Sequence, residues 1–479
     1  MSPEPDSMFR PPINRAMRTL DRSFFKQRIP ISAARIYDNK NISKYRAALE
    51  KSKDVLEVER IITIRPDPVA AYANNNGKCL LLKPEIKHDG GYLPPFEAIG
   101  VAKLRDSVKA EEVGVVPYEL ELDYKYWTYR TKNDIISAIL PENELGEIPS
   151  GFSVVGHVAH LNLRDQYLPY KHLIAEIIMD KNPNIETVIN KIDDVGEESE
   201  YRTFNYELLA GSGNMNVEIK EEDCIFHFNY AKVYWNSRLN TEHRRLVALF
   251  KEGDAVCDVM AGIGPFAVPA GKKGVFVWAN DLNPDSYTSL EDAIKRNKVE
   301  RYVRPFNENG HNFIRTATAS LFHTHHTVRI FAKRPRGAAK FDLRTTTPDR
   351  VLTQPRVFNH YVMNLPASAI AFLPSFIGLY ANVDRSLLTN PEDSLQMPLI
   401  HVYTFSTKSE DNVGPSIQIC KEISKQLELE ADEEITPQTP ETAVWDVRDV
   451  APNKRMFCAT FRLPASVAFR SGSERHASP

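Results

Sequence analysis

An α/β fold built on a mainly parallel sheet is predicted for the C-terminal half of the chain, and three observations predict it. From about residue 231 to about 465, short apolar runs alternate with stretches of helical character. The run 256–260 breaks into Ala261-Gly262-Ile263-Gly264-Pro265. A second run, 275–279, leads to Asp281 and then Asn283-Pro284. Strand, glycine turn, helix, strand, acid is the order in which such a sheet builds a nucleoside pocket.

The elements follow in order. Residues 1 to about 130 mix strand-like runs, 55–64 and 79–82, with a helical charge pattern over 42–53 and a turn at Asn74-Asn75-Asn76-Gly77. An α+β domain is expected there. Its first segment, from Met8 to Arg35, is rich in arginine and poor in acid, which is the composition of a mitochondrial presequence. Pro11-Pro12 and the apolar Phe24, Phe25, Ile29 and Ile31 suit the first segment of a folded domain, and that reading is preferred. Residues 131–230 predict a small middle α/β domain: a helix over 132–139 closed by Pro141, a strand over 153–156, the polar stretch HVAHLNLRDQY, and a helix over 168–180. In 231–465, strands are predicted at 254–260, 275–281, 302–307, 357–363 and 400–406. Runs 443–450 and 455–463, either side of Ala451-Pro452-Asn453, predict a closing antiparallel hairpin. The basic stretch 322–356 lacks apolar periodicity and reads as an inserted loop, either solvated or touching RNA. Residues 466–479 read as a disordered tail.

Bulk composition narrows the function classes. A chain of 479 residues with 42% hydrophobic and 26% charged residues suits two or three globular domains. The formal net charge of -3 gives no overall basic character, although nucleic-acid binding needs only a local basic face. Cys79, Cys224, Cys257, Cys420 and Cys458 are dispersed without a CxxC, which points to a reducing compartment and away from a zinc site or disulfide framework. His157 and His160 have ligand-like spacing but no third ligand nearby in sequence, so structural hydrogen bonding is preferred and no metal is expected. No apolar run is long enough to span a bilayer.

Gly262-x-Gly264-x-x-Ala267 also fits the dinucleotide fingerprint, so the ligand needs further argument. Asp258 lies before the glycines, where a carboxylate suits a cationic ligand better than a pyrophosphate. Pro265 removes an amide N–H that a phosphate could use. Asn364-Leu365-Pro366 ends the run 357–363, placing an amide and a rigid carbonyl at the carboxyl edge of the sheet, where ligands bind. The same triplet also reads as a strand-to-helix cap.

Together these residues resemble the eukaryotic and archaeal tRNA (guanine-N1)-methyltransferases that modify position 37, beside the anticodon, and a fungal-like member of them. The resemblance rests on FRPPINRAMRTLDRSFF (9–25), GHVAHLNLR (156–164), AKVYWNSRLNTEHRR (231–245), DVMAGIGPF (258–266), ANDLNP (279–284), MNLPASAIAFL (363–373), IHVYTFS (400–406) and VAPNK (450–454), in that order and across most of the chain. It implies a class I, Rossmann-like, S-adenosylmethionine-dependent methyltransferase domain behind an N-terminal α+β tRNA-binding domain and a small middle domain. It implies methylation of guanosine 37 in support of reading-frame maintenance, tRNA as partner, and a monomer in cytoplasm and nucleus with a mitochondrial pool.

The resemblance also implies roles by position. Asp281 and Leu282 would meet the ribose and adenine of S-adenosylmethionine, and Asn309 and Gly310 the adenine. Related sequences tend to carry Asp-Gly there, so Asn309 departs from the pattern and gives up charge-assisted strength. Asp258, His243, Gly262, Gly264, Asn283 and Tyr234 would complete the donor pocket. Asn364 and Pro366 would hold the target guanine. Methyl transfer to guanine N1 needs a base for the N1 proton and a donor for charge growing on O6. Glu242 matches the base, served by a closed, water-poor site, and Arg164 matches the O6 partner, joining when the domains close on tRNA. From spacing alone the preferred readings are a first-turn helix acid for Glu242 and a surface ion pair for Arg164. Tyr230, Tyr234 and Trp235 read as packing, with Tyr234 also able to border the donor. Three other functions stay open: transfer of the aminocarboxypropyl arm of the same cofactor to a modified guanosine 37, non-catalytic tRNA binding, and a dinucleotide oxidoreductase.

Overall fold

The computed structural model describes residues 8–86, 113–130, 132–147, 151–192, 201, 203–331, 348–389 and 396–471. The chain divides into two compact units, Met1–Phe152 with Ala159–Lys191 and Glu207–Gly213, and Ser153–Val158 with Ile192–Tyr206 and Asn214–Pro479. The stretch 131–230, expected as a middle domain, is therefore shared between two units.

The first unit is an α+β sandwich. Its antiparallel sheet runs in the order Ile64–Pro66, Lys78–Leu81, Gln27–Ile36, Val113–Leu122. Alternation along a strand sends successive side chains to opposite faces. Thus Ile29, Ile31 and Ala33 join a core with Trp127, Ile135, Ile139, Ile174 and Ile177. Ala34 and Ile36 face the other way, onto Tyr45 and Leu49 of helix Ile42–Lys51. The arginine-rich start belongs to this core: Phe9, Met17, Leu20 and Phe25 are buried in it, and Trp127 donates its indole N–H to the Phe25 carbonyl at 3.1 Å. The expected strand over 55–64 does not form. Only Ile64–Pro66 pairs with the sheet, and Val55 makes an isolated bridge to Leu82.

The second unit holds a seven-stranded sheet: β1 Ala255–Asp258, β2 Phe276–Asn280, β3 Val303–Phe306, β4 His360–Met363, β5 Leu399–Thr407, β6 Ala443–Ala451 and β7 Lys454–Arg462. The spatial order is β3-β2-β1-β4-β5-β7-β6, parallel through the first five strands and antiparallel at β7 and β6. Strand order reverses between β1 and β4. A crevice opens at that switch point, outside the carboxyl ends of the strands. Buried runs such as Phe276–Asn280 and His360–Met363 are what a strand covered on both faces requires.

Three local features frame the crevice. Helix Pro284–Asn297 begins with the Asn283 side chain accepting from the Asp285 amide and with proline in its first turn. At its far end Asn297 donates to the Ile225 carbonyl at 2.7 Å and accepts from the Ile225 amide at 2.9 Å, clipping a hairpin onto the helix. That hairpin, Asn216–Glu221 with Cys224–Asn229, turns at Glu222 and Asp223, both at positive φ. The two ends of the basic insertion carry regular structure. Helix Gly310–His323 runs into its start, and Thr327–Ile330 pairs antiparallel with Arg350–Thr353. Residues 332–347 and 472–479 lie outside the described residues. No helix among the described residues is long and apolar enough to cross a membrane.

Candidate active site

At the switch point lies an open cleft, at the place where sheets of this kind bind small molecules. It is lined from the β1 turn by Val259, Met260 and Gly262, from the end of β2 by Asn280, Asp281, Leu282 and Asn283, and from the end of β4 by Asn364 and Leu365. Tyr201, Tyr234, Ser286, Asn309, Gly310 and Phe372 complete the lining.

The floor is set by backbone geometry. Gly262 sits at φ +56 with open space where a Cβ would go, so its turn faces the cleft unfilled. Gly264, at φ +93, serves packing instead: a Cβ there would stand 2.6 Å from Leu290. Asp281 is fixed from both sides. Its carboxylate accepts from the Gly262 amide at 2.8 Å and the Asn283 amide at 2.9 Å. Burial raises its proton affinity, and those two amides work against the rise. Asn280 braces the wall by donating to the Val259 and Glu308 carbonyls, while Asn307 donates to the Asp281 and Leu282 carbonyls. On the opposite side Phe372 stacks on His311 at 3.9 Å, and a Cβ at Gly310 would come within 3.0 Å of Phe372.

Asp258 lies beneath this floor. It is fully buried, and neither carboxylate oxygen has a hydrogen-bond partner. Burial first, and the charge of Asp281 second, push its proton affinity well above the carboxylate range. Such a group is costly to ionise until a cation arrives. The lining therefore fits a nucleoside with a positive centre: a carboxylate at the end of β2 for vicinal hydroxyls, apolar Leu282, Val259 and Phe372 for a base, and a waiting acid below.

Asp258→Asn separates these effects. An acid whose proton affinity is raised by folding contributes stability at low pH that is lost as pH rises. The asparagine form should therefore be more stable than the native chain at pH 8, by roughly a few degrees in Tm, with the gap closing toward pH 4. Affinity for a cationic nucleoside should fall about tenfold or more. Thermal denaturation across pH with titration calorimetry checks both; a stability gap independent of pH contradicts burial as the cause.

The structure gathers Tyr234, Gly262, Asp281, Leu282, Asn283, Asn309, Gly310 and Asn364 at one cleft. Asn309 caps helix Gly310–His323 by accepting from the His311 amide, a role asparagine and aspartate fill equally. Pro366 is buried and lies outside the lining. His243 is also outside it: its Nδ1 meets Glu221 at 2.5 Å, and its ring packs between Trp235 and Phe266. Glu242, 4% exposed, is held by Arg245 and Tyr403. Arg164 belongs to the other compact unit, exposed at the start of the turn Asp165–Tyr170. His157 meets the Asn214 carbonyl at 3.0 Å. Among the described residues no group of three or more His, Cys, Asp or Glu side chains could hold a metal. Sequence reasoning did not single out Asn280, Asn307, Ser286 or Phe372; Asn280 and Phe372 lie inside quoted motifs, ANDLNP and MNLPASAIAFL.

Comparison with known proteins adds a second line. Residues 133–214 match the profile described as the TYW2 N-terminal domain, and residues 217–328 that of the TRM5/TYW2 methyltransferase domain. A tRNA (guanine(37)-N(1))-methyltransferase of Emericella nidulans is 51% identical over 97% of this chain and 96% of its own length. One from Aspergillus fumigatus is 51% identical with the same coverage. Among solved structures, a complex of aTrm5 and tRNALeu superposes with a TM-score of 0.56 at 20% identity, covering 90% of this chain and 99% of that one. Trm5b from Pyrococcus abyssi gives 0.52 at 20% identity with the same coverage. At that identity the structures speak for the fold alone.

Proposed function

The chain belongs to the tRNA (guanine(37)-N(1))-methyltransferase family, and from that membership we propose that it methylates N1 of guanosine 37 in tRNA using S-adenosylmethionine. The cleft at the β1/β4 switch point carries the reading, because an acid at the end of β2 and an unpartnered acid under a glycine turn are what a sulfonium nucleoside needs. Bound there, S-adenosylmethionine supplies an electrophilic methyl group.

The residues of the chain would do the rest. Asp281 accepts from the ribose hydroxyls, with its aim fixed by the Gly262 and Asn283 amides. Leu282, Gly310 and Phe372 enclose the adenine, Asn309 borders it, and Tyr234, on the rim, shields it from water. Asp258 faces the positive end. Asn364, at the end of β4, positions the Watson–Crick edge of a guanine that has left its stack. N1 bonds to the methyl carbon as the carbon–sulfur bond breaks, and the N1 proton passes to the Glu242 carboxylate. Arg164 donates to O6 in the complex with tRNA, steadying the charge that grows there.

The arginine-rich start packs in the first unit's core, and all five cysteines are free and buried. The free, buried cysteines support work in reducing compartments, and the family reading adds a monomer in cytoplasm and nucleus with a mitochondrial share. Methyl transfer to a tRNA transcript with guanosine at position 37, against one with adenosine there, tests the assignment. Transfer to the first alone is expected; equal transfer to both would overturn it.

A further inference from the structure

Resting on Glu242 as the base, we infer that Arg245 and Tyr403 are positioning residues that supply donors to its carboxylate and leave one oxygen, Oε2, with room for the N1 proton. Glu242 lies in the first turn of helix Asn240–Leu249. Arg245, three residues on, grips it with a two-pronged contact: Nε to Oε2 at 2.6 Å and Nη2 to Oε1 at 2.6 Å. The Tyr403 hydroxyl donates to Oε1 at 2.6 Å.

A carboxylate offers roughly four lone-pair sites, two on each oxygen. Oε1 receives two donors and is filled. Oε2 receives one and keeps an open site. Three donors, two of them from one guanidinium that reaches both oxygens, fix how the carboxylate is turned. The site is also at the right level of the sheet. Met363 pairs with Val402 between β4 and β5, so Tyr403, the next residue, stands level with Asn364. Tyr403 thus ties Glu242 to the strand end that carries Asn364.

The other groups facing Glu242 do not compete for the proton. Burial keeps the Tyr403 phenol neutral as a donor. Cys458, on β7, is pushed up to about 12 by burial and stays a thiol. Arg245 is pushed up by its contacts with Glu242 against its own burial, and remains cationic. Its guanidinium lies 5.1 Å from the ring of Trp445 on β6, which covers its outer face. Because Trp445 is 52% exposed, it can be replaced without opening the core.

The test is the pH dependence of single-turnover methylation. Tyr403→Phe keeps the ring and removes one donor. Its acidic limb should move to higher pH, lowering the rate on that limb about tenfold per unit moved while the alkaline plateau stays within about threefold. Trp445→Ala should move the limb the same way by less, through a looser Arg245. KM for S-adenosylmethionine should not change in either. A uniform loss at every pH, with the limb in place, would overturn the inference and leave Glu242 as the base. Glu242→Gln separates the two: it should abolish the limb and most of the rate, whereas a native profile in that variant would remove the base assignment and this inference with it.

Discussion

Replacing Asp281 with alanine is expected to raise the KM for S-adenosylmethionine about a hundredfold and to leave tRNA affinity within about threefold. Two costs combine. On the proposed reading the carboxylate accepts from two ribose hydroxyls, and each charge-assisted bond is worth roughly 1.5–3 kcal/mol. The same carboxylate also organises the floor, because the Gly262 and Asn283 amides both end on it. Its loss frees the glycine turn at the place where the cofactor must lie closest. Asp281→Asn should be milder, since an amide oxygen still accepts from one backbone N–H. The rate at saturating cofactor should change little, because Asp281 is remote in role from the reacting atoms. Titration calorimetry with S-adenosylhomocysteine reads the binding part directly. Unchanged affinity in the alanine variant would remove the cleft from the account.

Arg164→Ala is expected to behave in the opposite way. Single-turnover methylation should fall about a hundredfold, while cofactor affinity stays as it was. Guanine O6 gains negative charge only as N1 loses its proton, so a cation held there acts on the transition state more than on binding. Arg164→Lys should restore part of the rate through charge, but not all, because a fork is replaced by a point charge. Full activity in the alanine variant would return Arg164 to the surface ion-pair reading that its exposure and spacing also allow.

Much of the catalytic half was legible because its chemistry is local in sequence. The glycine turn, Asp281 and Asn283-Pro284 lie within about thirty residues, and βαβ units of that length announce themselves. All seven predicted strand positions carry strands, and 443–450 with 455–463 forms the antiparallel edge. The first unit was less legible for a physical reason. Strand Gln27–Ile36 is buried on both faces from Ile31 onward by small and mid-sized residues, Ala33 and Ala34 among them, so it shows little alternation and hides inside an arginine-rich segment. The run 55–64 has strand composition, but only its last residue, Ile64, enters the sheet, in the edge strand Ile64–Pro66. At the cleft, the bracing amides of Asn280 and Asn307 act on backbone carbonyls, which no side-chain pattern reveals. Nor could spacing show that Glu242 is clamped by Tyr403, which lies 161 residues away.

Nucleoside analysis of the reaction product tests the central claim most directly. Purified protein, S-adenosylmethionine and an unmodified tRNA transcript with guanosine 37 should give 1-methylguanosine at that position and S-adenosylhomocysteine in equal amount. An aminocarboxypropyl group on the base with methylthioadenosine as co-product, or no modification at all, would contradict it.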